Sequence, residues 1–252
     1  MGLPARPLRA AILIVWAGFF VALWFGGDAD RYLGPRTTWV VPFGAITLSL
    51  AAIGYGLLTL RDLSDGSRKR LTTLESVSYF ALLIPILAVF IAPRAELGAQ
   101  AARKKSTNAN LAAVELGKDR KAAAQAAASA AATNDQVADI DFLSLASVTT
   151  DPGYASDIGV KAGTRVRFLG FTVRTGKPDR FQLARFLISC CAADAVPVFV
   201  EVKAMGNEIP ADNAWVDVAG RLEQHDRKLI VEAESLTPAQ QPDEPYLTFW
   251  GE

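Results

Sequence analysis

Phe181-Gln-Leu-Ala-Arg-Phe-Leu-Ile-Ser-Cys-Cys-Ala-Ala-Asp-Ala-Val-Pro-Val-Phe-Val-Glu-Val202 is the stretch from which the rest of the chain can be read. Phe181 to Ile188 is an apolar-rich run, and Val196, Val198, Val200 and Val202 recur at every second position against Pro197, Phe199, Glu201 and then Lys203. A period of two is the pattern of a strand with one buried face. Between the runs, Cys190-Cys191-Ala-Ala-Asp194-Ala breaks both patterns, and its cysteines are the only two in the chain. The stretch therefore reads as strand, tight loop, strand, with the chain's redox- and metal-capable atoms in the loop.

Outward from there, more short runs follow the same period. Arg165 to Arg174 places Val166 and Phe168 on one face, and Gly170 reads as a bulge that hands the inward face to Phe171 and Val173. Val216, Val218, Gly220 and Leu222 form a fourth run, and Leu229, Val231 and Ala233 a fifth. Turn residues separate them at Gly176-Lys-Pro-Asp179, Gly206-Asn207 and Glu223-Gln-His-Asp-Arg227. Five short strands suit a small barrel of the OB type, with a β-sandwich as the alternative. The helix that such a barrel carries between its third and fourth strands is weakly encoded here, since Met205 to Asn213 is short and contains Pro210.

The first 92 residues are of a different kind. Ala10–Gly27, Thr37–Leu60 and Ser76–Ala92 carry no charge, and a helix crossing the hydrocarbon core needs roughly 20 mostly apolar residues, with about 17 as the lower limit. No small-x-small cleavage site follows the first run and two further runs do, so it reads as an anchor, not a cleaved leader. Pro42 and Pro85 fall inside the second and third runs as candidate kinks. Ala45 with Ser49, and Ala52 with Gly56, offer small surfaces for close helix approach. Arg6 and Arg9 precede the first run, Arg61, Arg68, Lys69 and Arg70 lie between the second and third, and only Arg31 and Arg36 lie between the first and second. Positive-inside bias places the N-terminus in the cytoplasm and, after three crossings, the C-terminal domain outside it; Arg94, Arg103, Lys104 and Lys105 weigh mildly the other way. The absence of ionisable residues within the runs gives no proton or ion ladder, which argues against a transporter acting by itself.

The expected organisation is a membrane α-helical part over 1–93 with three spans, an Ala-rich helical or flexible linker over 94–138, and an all-β domain over 139–252. The linker carries Lys118-Asp-Arg-Lys-Ala-Ala-Ala-Gln-Ala-Ala-Ala-Ser-Ala-Ala-Ala132, which has strong helix propensity without an apolar stripe. Asn108, Asn110 and Gly117 interrupt any heptad. Charge over the whole chain is balanced, 26 basic against 26 acidic, and from Asp141 onward there are 11 basic and 16 acidic residues. That balance speaks against nucleic acid as a partner, although OB barrels often bind it; membrane lipid is the partner that the apolar runs imply.

Several motifs together resemble one family of bacterial membrane proteins. They are Tyr79-Phe-Ala-Leu-Leu-Ile-Pro85 with Ala92-Pro93, Gly170-Phe-Thr-Val173, Ala184-Arg-Phe186, Ile188-Ser-Cys-Cys-Ala-Ala-Asp-Ala195, Trp215-Val-Asp-Val-Ala-Gly220 and Pro245-Tyr246. The chain resembles the YcgQ-type permease-subunit family, with an N-terminal membrane part and a C-terminal domain. The resemblance implies a larger polytopic permease as partner. Many such relatives carry a histidine-rich stretch between spans, whereas Arg61 to Leu74 has no histidine and His225 is the only one in this chain.

Three readings of the loop stay open. Cys190, Cys191 and Asp194 suit a soft or borderline divalent metal such as zinc, provided the backbone turns so that adjacent thiols face one ion, with His225 as a candidate fourth ligand. An oxidising exterior would permit a strained vicinal disulfide. The thiols could also be small packing residues, with Asp194 turning the loop. Arg185, before the loop, is a candidate to pair with Asp194 or tune a thiol, and Trp215 reads as a rim residue. No phosphate loop, Ser-His-Asp set or paired carboxylates are evident, so no enzymatic activity is expected. The function that the resemblance implies is a membrane-anchored accessory subunit of a bacterial permease, with an extracytoplasmic β-barrel domain that contacts the partner or its substrate; a stand-alone envelope metal or redox sensor, or a structural envelope protein, are the alternatives.

Overall fold

The structure, a computed structural model, describes residues 5–27, 29, 33–34, 36–63, 72–91, 97–106, 120–134, 137–226 and 228–248. Arg31, Arg68, Lys69, Arg70, Arg94, the Ala92-Pro93 pair, Asn108, Asn110, Gly117 and Arg227 lie outside the described residues. The chain divides into two compact units, Met1–Glu96 and Leu97–Glu252.

In the first unit, α1 (Ala5–Gly26) packs against α2 (Val40–Leu63). The approach is close because Gly44 has no side chain: a Cβ there would lie 2.7 Å from the Phe20 ring. Val41, Ala45 and Ala52 are buried, while Ile46, Leu50, Ile53 and Leu57 remain exposed. These two helices are long and apolar enough to cross a membrane, over Pro7–Gly26 and Val40–Arg61.

The third apolar run is not one helix. It forms α3 (Thr73–Ala81) and α4 (Ile84–Ile91), with Leu83 N donating to Phe80 O and Leu87 N to Leu83 O through the turn between them. Pro85 explains the break, since a proline ring clashes with the carbonyl four residues earlier, here that of Ala81, the last residue of α3. Pro42 causes no such break. It is the third residue of α2, where its missing N–H has no helical acceptor to lose. Thr72 and Glu75 close α3 with a reciprocal capping box.

The second unit is built on a closed barrel of β1 (Arg165–Arg174), β2 (Arg180–Ile188), β3 (Val196–Lys203), β4 (Trp215–His225) and β5 (Lys228–Pro238). The sheet runs β1-β4-β5-β3-β2 and closes through an antiparallel β1–β2 pairing, with β3 and β5 parallel. This is the order of a small OB-like barrel and not of a sandwich. β2 carries two partners along one edge: Phe181 to Ala184 pair with β1, and Phe186 to Ile188 pair with β6 (Tyr246–Thr248).

The period-two reading holds inside the barrel. Val166, Phe168, Phe181, Leu183, Leu187, Val198, Val200, Val202, Val216, Val218, Leu222, Val231 and Ala233 share one core. Gly170 is not a bulge, because the β1–β4 register passes through it unbroken. Phe171 and Val173 point to the opposite face from Val166 and Phe168, into a second cluster with Phe186, Ile188 and Phe199. What requires glycine at 170 is the crossing of β1 and β2, where a Cβ would stand 2.9 Å from both Ala184 O and Leu183 Cγ. The register shift occurs instead between Ala219 and Gly220 on β4, opposite β5.

The segment expected as a spacer belongs largely to this unit. Within α6 (Lys121–Asn134), Ala124, Ala128 and Ala131 recur at helical spacing and are buried in the main core. A stripe of methyl groups suffices because the helix lies close against its neighbours. α5 (Ala99–Lys105) buries Ala99 and Ala102 in the second cluster. Asn213 Oδ1 accepts from Ala99 N at 2.6 Å, in space that only Gly98 leaves open.

Two further helices precede the barrel, α7 (Phe142–Thr150) and α8 (Pro152–Asp157). Asp141 caps α7, accepting from the N–H groups of Leu143 and Ser144, and residues 142–149 are buried on every side. A helix with no solvent face shows no amphipathic period, which is why it is hidden in the sequence. Among the described residues, 204–214 hold no helix, in keeping with the weak signal there.

Candidate functional site

The loop joining β2 to β3 turns sharply. After Ile188 the backbone bends at Ser189 and Cys190, passes extended through Cys191, and makes one 3-10 turn over Ala192–Asp194 before β3 begins. Asp194 organises the bend: its carboxylate accepts from Ser189 N at 3.2 Å and from Cys190 N at 2.8 Å. The turn removes the obstacle that adjacent strand residues face, and both thiols come to one side with their Sγ atoms 3.6 Å apart. The ligand atoms of Cys190, Cys191 and Asp194 all lie within 4.8 Å of one another. Cys190 is exposed and Cys191 half-buried, and both are free thiols.

The second fastening comes from α5. Lys105 Nζ donates to the carbonyls of Ala193 at 3.1 Å and Ala195 at 2.9 Å, on either side of Asp194. No sequence signal links Lys105 to the loop, because the two lie 90 residues apart; only the docking of α5 brings them together. Arg103, two residues earlier, pairs with Asp212 at 2.5 Å and fixes the same helix to the segment before β4.

Electrostatics hold the Cys190 proton in place. The Cys190 thiol is pushed up to about 11, first by its hydrogen bond to the Asp194 carboxylate and then by the neighbouring Cys191 sulfur. Burial alone would raise Asp194, but the N–H and thiol of Cys190 and the N–H groups of Ser189 and Cys191 outweigh it and hold the carboxyl below its ordinary value. The loop is therefore a carboxylate beside a Cys190 thiol that keeps its proton at neutral pH. A nucleophilic or redox-sensing cysteine needs the opposite, a depressed thiol.

The other candidate residues stand elsewhere. His225 Nε2 lies 2.6 Å from the guanidinium of Arg180. Arg180 begins β2 and Cys190 follows its end, and β2 is about 26 Å long at about 3.3 Å per residue. His225 is thus at the far end of the strand from the thiols and does not complete the cluster. Arg185 is buried and donates to the carbonyls of Glu244, at 3.0 Å, and Pro245, at 3.4 Å. It fastens the segment leading into β6. Trp215 meets Phe171 edge to face, with centroids 5.8 Å apart, and also lines a cavity of 330 Å³ with Pro210, Leu236 and Pro238.

On the barrel exterior, among the described residues, several cations are paired with acids. Arg167 pairs with Asp217, Arg165 and Arg221 with Glu234, Arg180 with Glu201, and Lys203 with Glu232.

No curated protein is similar to the chain in sequence. A solved structure described as that of the hypothetical protein ygiW from E. coli is similar over 32% of this chain and 81% of its own, with 12% identity and a TM-score of 0.25. The DUF1980 C-terminal domain matches residues 122–248, from α6 through β6 and including the Cys-Cys loop. By that match, over half of its length, the chain belongs to the DUF1980 family.

Proposed function

We propose that this protein is a membrane-anchored accessory subunit of a bacterial permease, whose barrel stands outside the cytoplasmic membrane and contacts a larger polytopic partner. The observation that carries the reading is the surface of α1 and α2. Ile14, Phe25, Phe43, Leu50 and Leu57 are exposed on helices otherwise long enough to span, and such surfaces require lipid or other helices.

The orientation rests on α3 and α4 forming a third crossing. Together with the turn between them they cover Thr73 to Ile91, against the roughly 20 residues that a crossing needs. Arg9, near the start of α1, donates to the Tyr79 hydroxyl at 2.7 Å and lies over its ring. That contact keeps the first half of α3 beside the start of α1, the side to which crossings by α1 and α2 return the chain.

The experiment is purification of the tagged full chain from native membranes in mild detergent. The reading predicts a polytopic membrane protein in fixed stoichiometry, lost when α1–α4 are replaced by an unrelated anchor. Recovery of the chain alone, with the native helices intact and after cross-linking in the membrane, contradicts it.

A further inference from the structure

We propose that Cys190 Sγ, Cys191 Sγ and the Asp194 carboxylate form a three-ligand tetrahedral site for a zinc-class divalent cation, with its fourth position open. The spacing of the sulfurs carries the assignment. At a metal–sulfur bond of about 2.3 Å, sulfurs 3.6 Å apart subtend about 103° at the ion, near the tetrahedral angle. A linear two-coordinate ion at the same bond length would hold them about 4.6 Å apart, so the loop as folded selects against that geometry.

Asp194 serves both the loop and the ion. Its oxygens accept from the N–H groups of Ser189, Cys190 and Cys191 and from the Cys190 thiol, and loss of the thiol proton on binding frees a lone pair for the ion. Binding releases the two thiol protons to solvent and forms two metal–sulfur bonds, with no change of oxidation state. Lys105 acts as a positioning residue. By holding the Ala193 and Ala195 carbonyls it keeps the turn that aims both sulfurs to one side.

An ion so held is exchangeable. Cys190 is exposed and Cys191 only half-buried, His225 is remote, and one coordination position faces outward. Structural zinc sites close all four positions with protein ligands, whereas an open position admits water or an incoming ligand. On the accessory-subunit reading, on which this role rests, the loop would deliver the cation to the permease; the binding itself does not depend on that reading.

The test uses the full chain in detergent, reduced and stripped of metal, titrated with Co(II) and then with Zn(II) in competition. One equivalent of Co(II) is expected to give thiolate-to-metal charge transfer and the strong visible bands of tetrahedral cobalt. Cys190→Ser and Cys191→Ser should each lower Zn(II) affinity by about 100-fold or more, and Lys105→Met, which removes no ligand, by about 10-fold or more. Both thiols being at the surface, the serine variants should keep the wild-type circular dichroism, which confirms that loss of binding is not loss of fold. Weak octahedral cobalt bands in wild type, or equal Zn(II) uptake by wild type and the double serine variant, would overturn the site. A chain that binds no zinc yet retains its polytopic partner defeats the site alone. One that binds zinc without any partner defeats the subunit reading alone.

Discussion

Lys105 Nζ donates to the carbonyl of Ala195 at 2.9 Å, tying the end of a seven-residue helix to the start of β3 across 90 residues of sequence. α5 is too short to hold itself together and depends on its tertiary partners, so the loop and the helix stabilise one another. Lys105→Met removes two charge-assisted bonds, both at a partly solvated surface. The predicted cost is about 1 kcal/mol, and hydrogen exchange at Ser189 to Ala195 should accelerate. Unchanged protection of those amides in the variant would show that the lysine is a bystander.

The autonomous unit begins before the first strand, and indeed before Asp141. A fragment starting at Leu97 retains α5 and α6, whereas one starting at Asp141 loses Ala99, Ala102, Ala124, Ala128 and Ala131 from the two cores. At about 25 cal/mol per Å² of apolar surface, those side chains and the surfaces they cover amount to several kcal/mol. Urea unfolding should place the midpoint of the 97–252 fragment well above that of 141–252. Equal midpoints would mean that α5 and α6 contribute no stability.

Closure of the barrel depends on Gly170. In Gly170→Ala the new methyl group meets a backbone carbonyl, Ala184 O, and the Leu183 side chain. The carbonyl cannot withdraw without breaking the β1–β2 pairing at Phe171 and Ala184. A loss of about 1–3 kcal/mol is predicted, as for overpacked cores, measured by thermal or urea unfolding of the 97–252 fragment. A loss below about 0.5 kcal/mol would indicate that the crossing has room to spare.

Thiol reactivity in the metal-free protein should follow the proton held beside Asp194. With Cys190 pushed up to about 11, its thiolate fraction at pH 7 is small and rises about tenfold per pH unit until that value is approached. Alkylation by iodoacetamide should rise in the same way, without the levelling-off between about pH 9 and 10 that an ordinary thiol of pKa about 8.5 shows. Asp194→Asn removes the carboxylate that favours the protonated thiol, so the profile should move to lower pH. A profile that is identical in the two proteins would remove Asp194 as the cause.

Much of the barrel was legible in the sequence because its strands have one face in the core. Val198, Val200 and Val202, or Val216, Val218 and Leu222, alternate for that reason. The Cys-Cys loop was legible as a cluster of ligand types, since Cys190, Cys191 and Asp194 lie within one short segment. Its geometry was not, because adjacent residues face one way only when the backbone turns, and the turn depends on Asp194 and on distant Lys105. Phe171 and Val173 misled in the opposite direction. They are apolar on the outer face because α5 covers them, and an alternation rule has no means of seeing a covering helix. The same holds for α7, buried all round, and for Ala124, Ala128 and Ala131, whose methyl stripe is invisible in an alanine-rich background.

On the accessory-subunit proposal, the barrel and its dithiol loop stand outside the cytoplasmic membrane. The most direct test is labelling of intact, reductant-treated cells with a membrane-impermeant maleimide. Wild type is compared with a cysteine-free chain carrying Ala126→Cys at an exposed position of α6. The account predicts that Cys190 and the α6 cysteine are both labelled before lysis. Labelling of both only after lysis would place the barrel in the cytoplasm and contradict it.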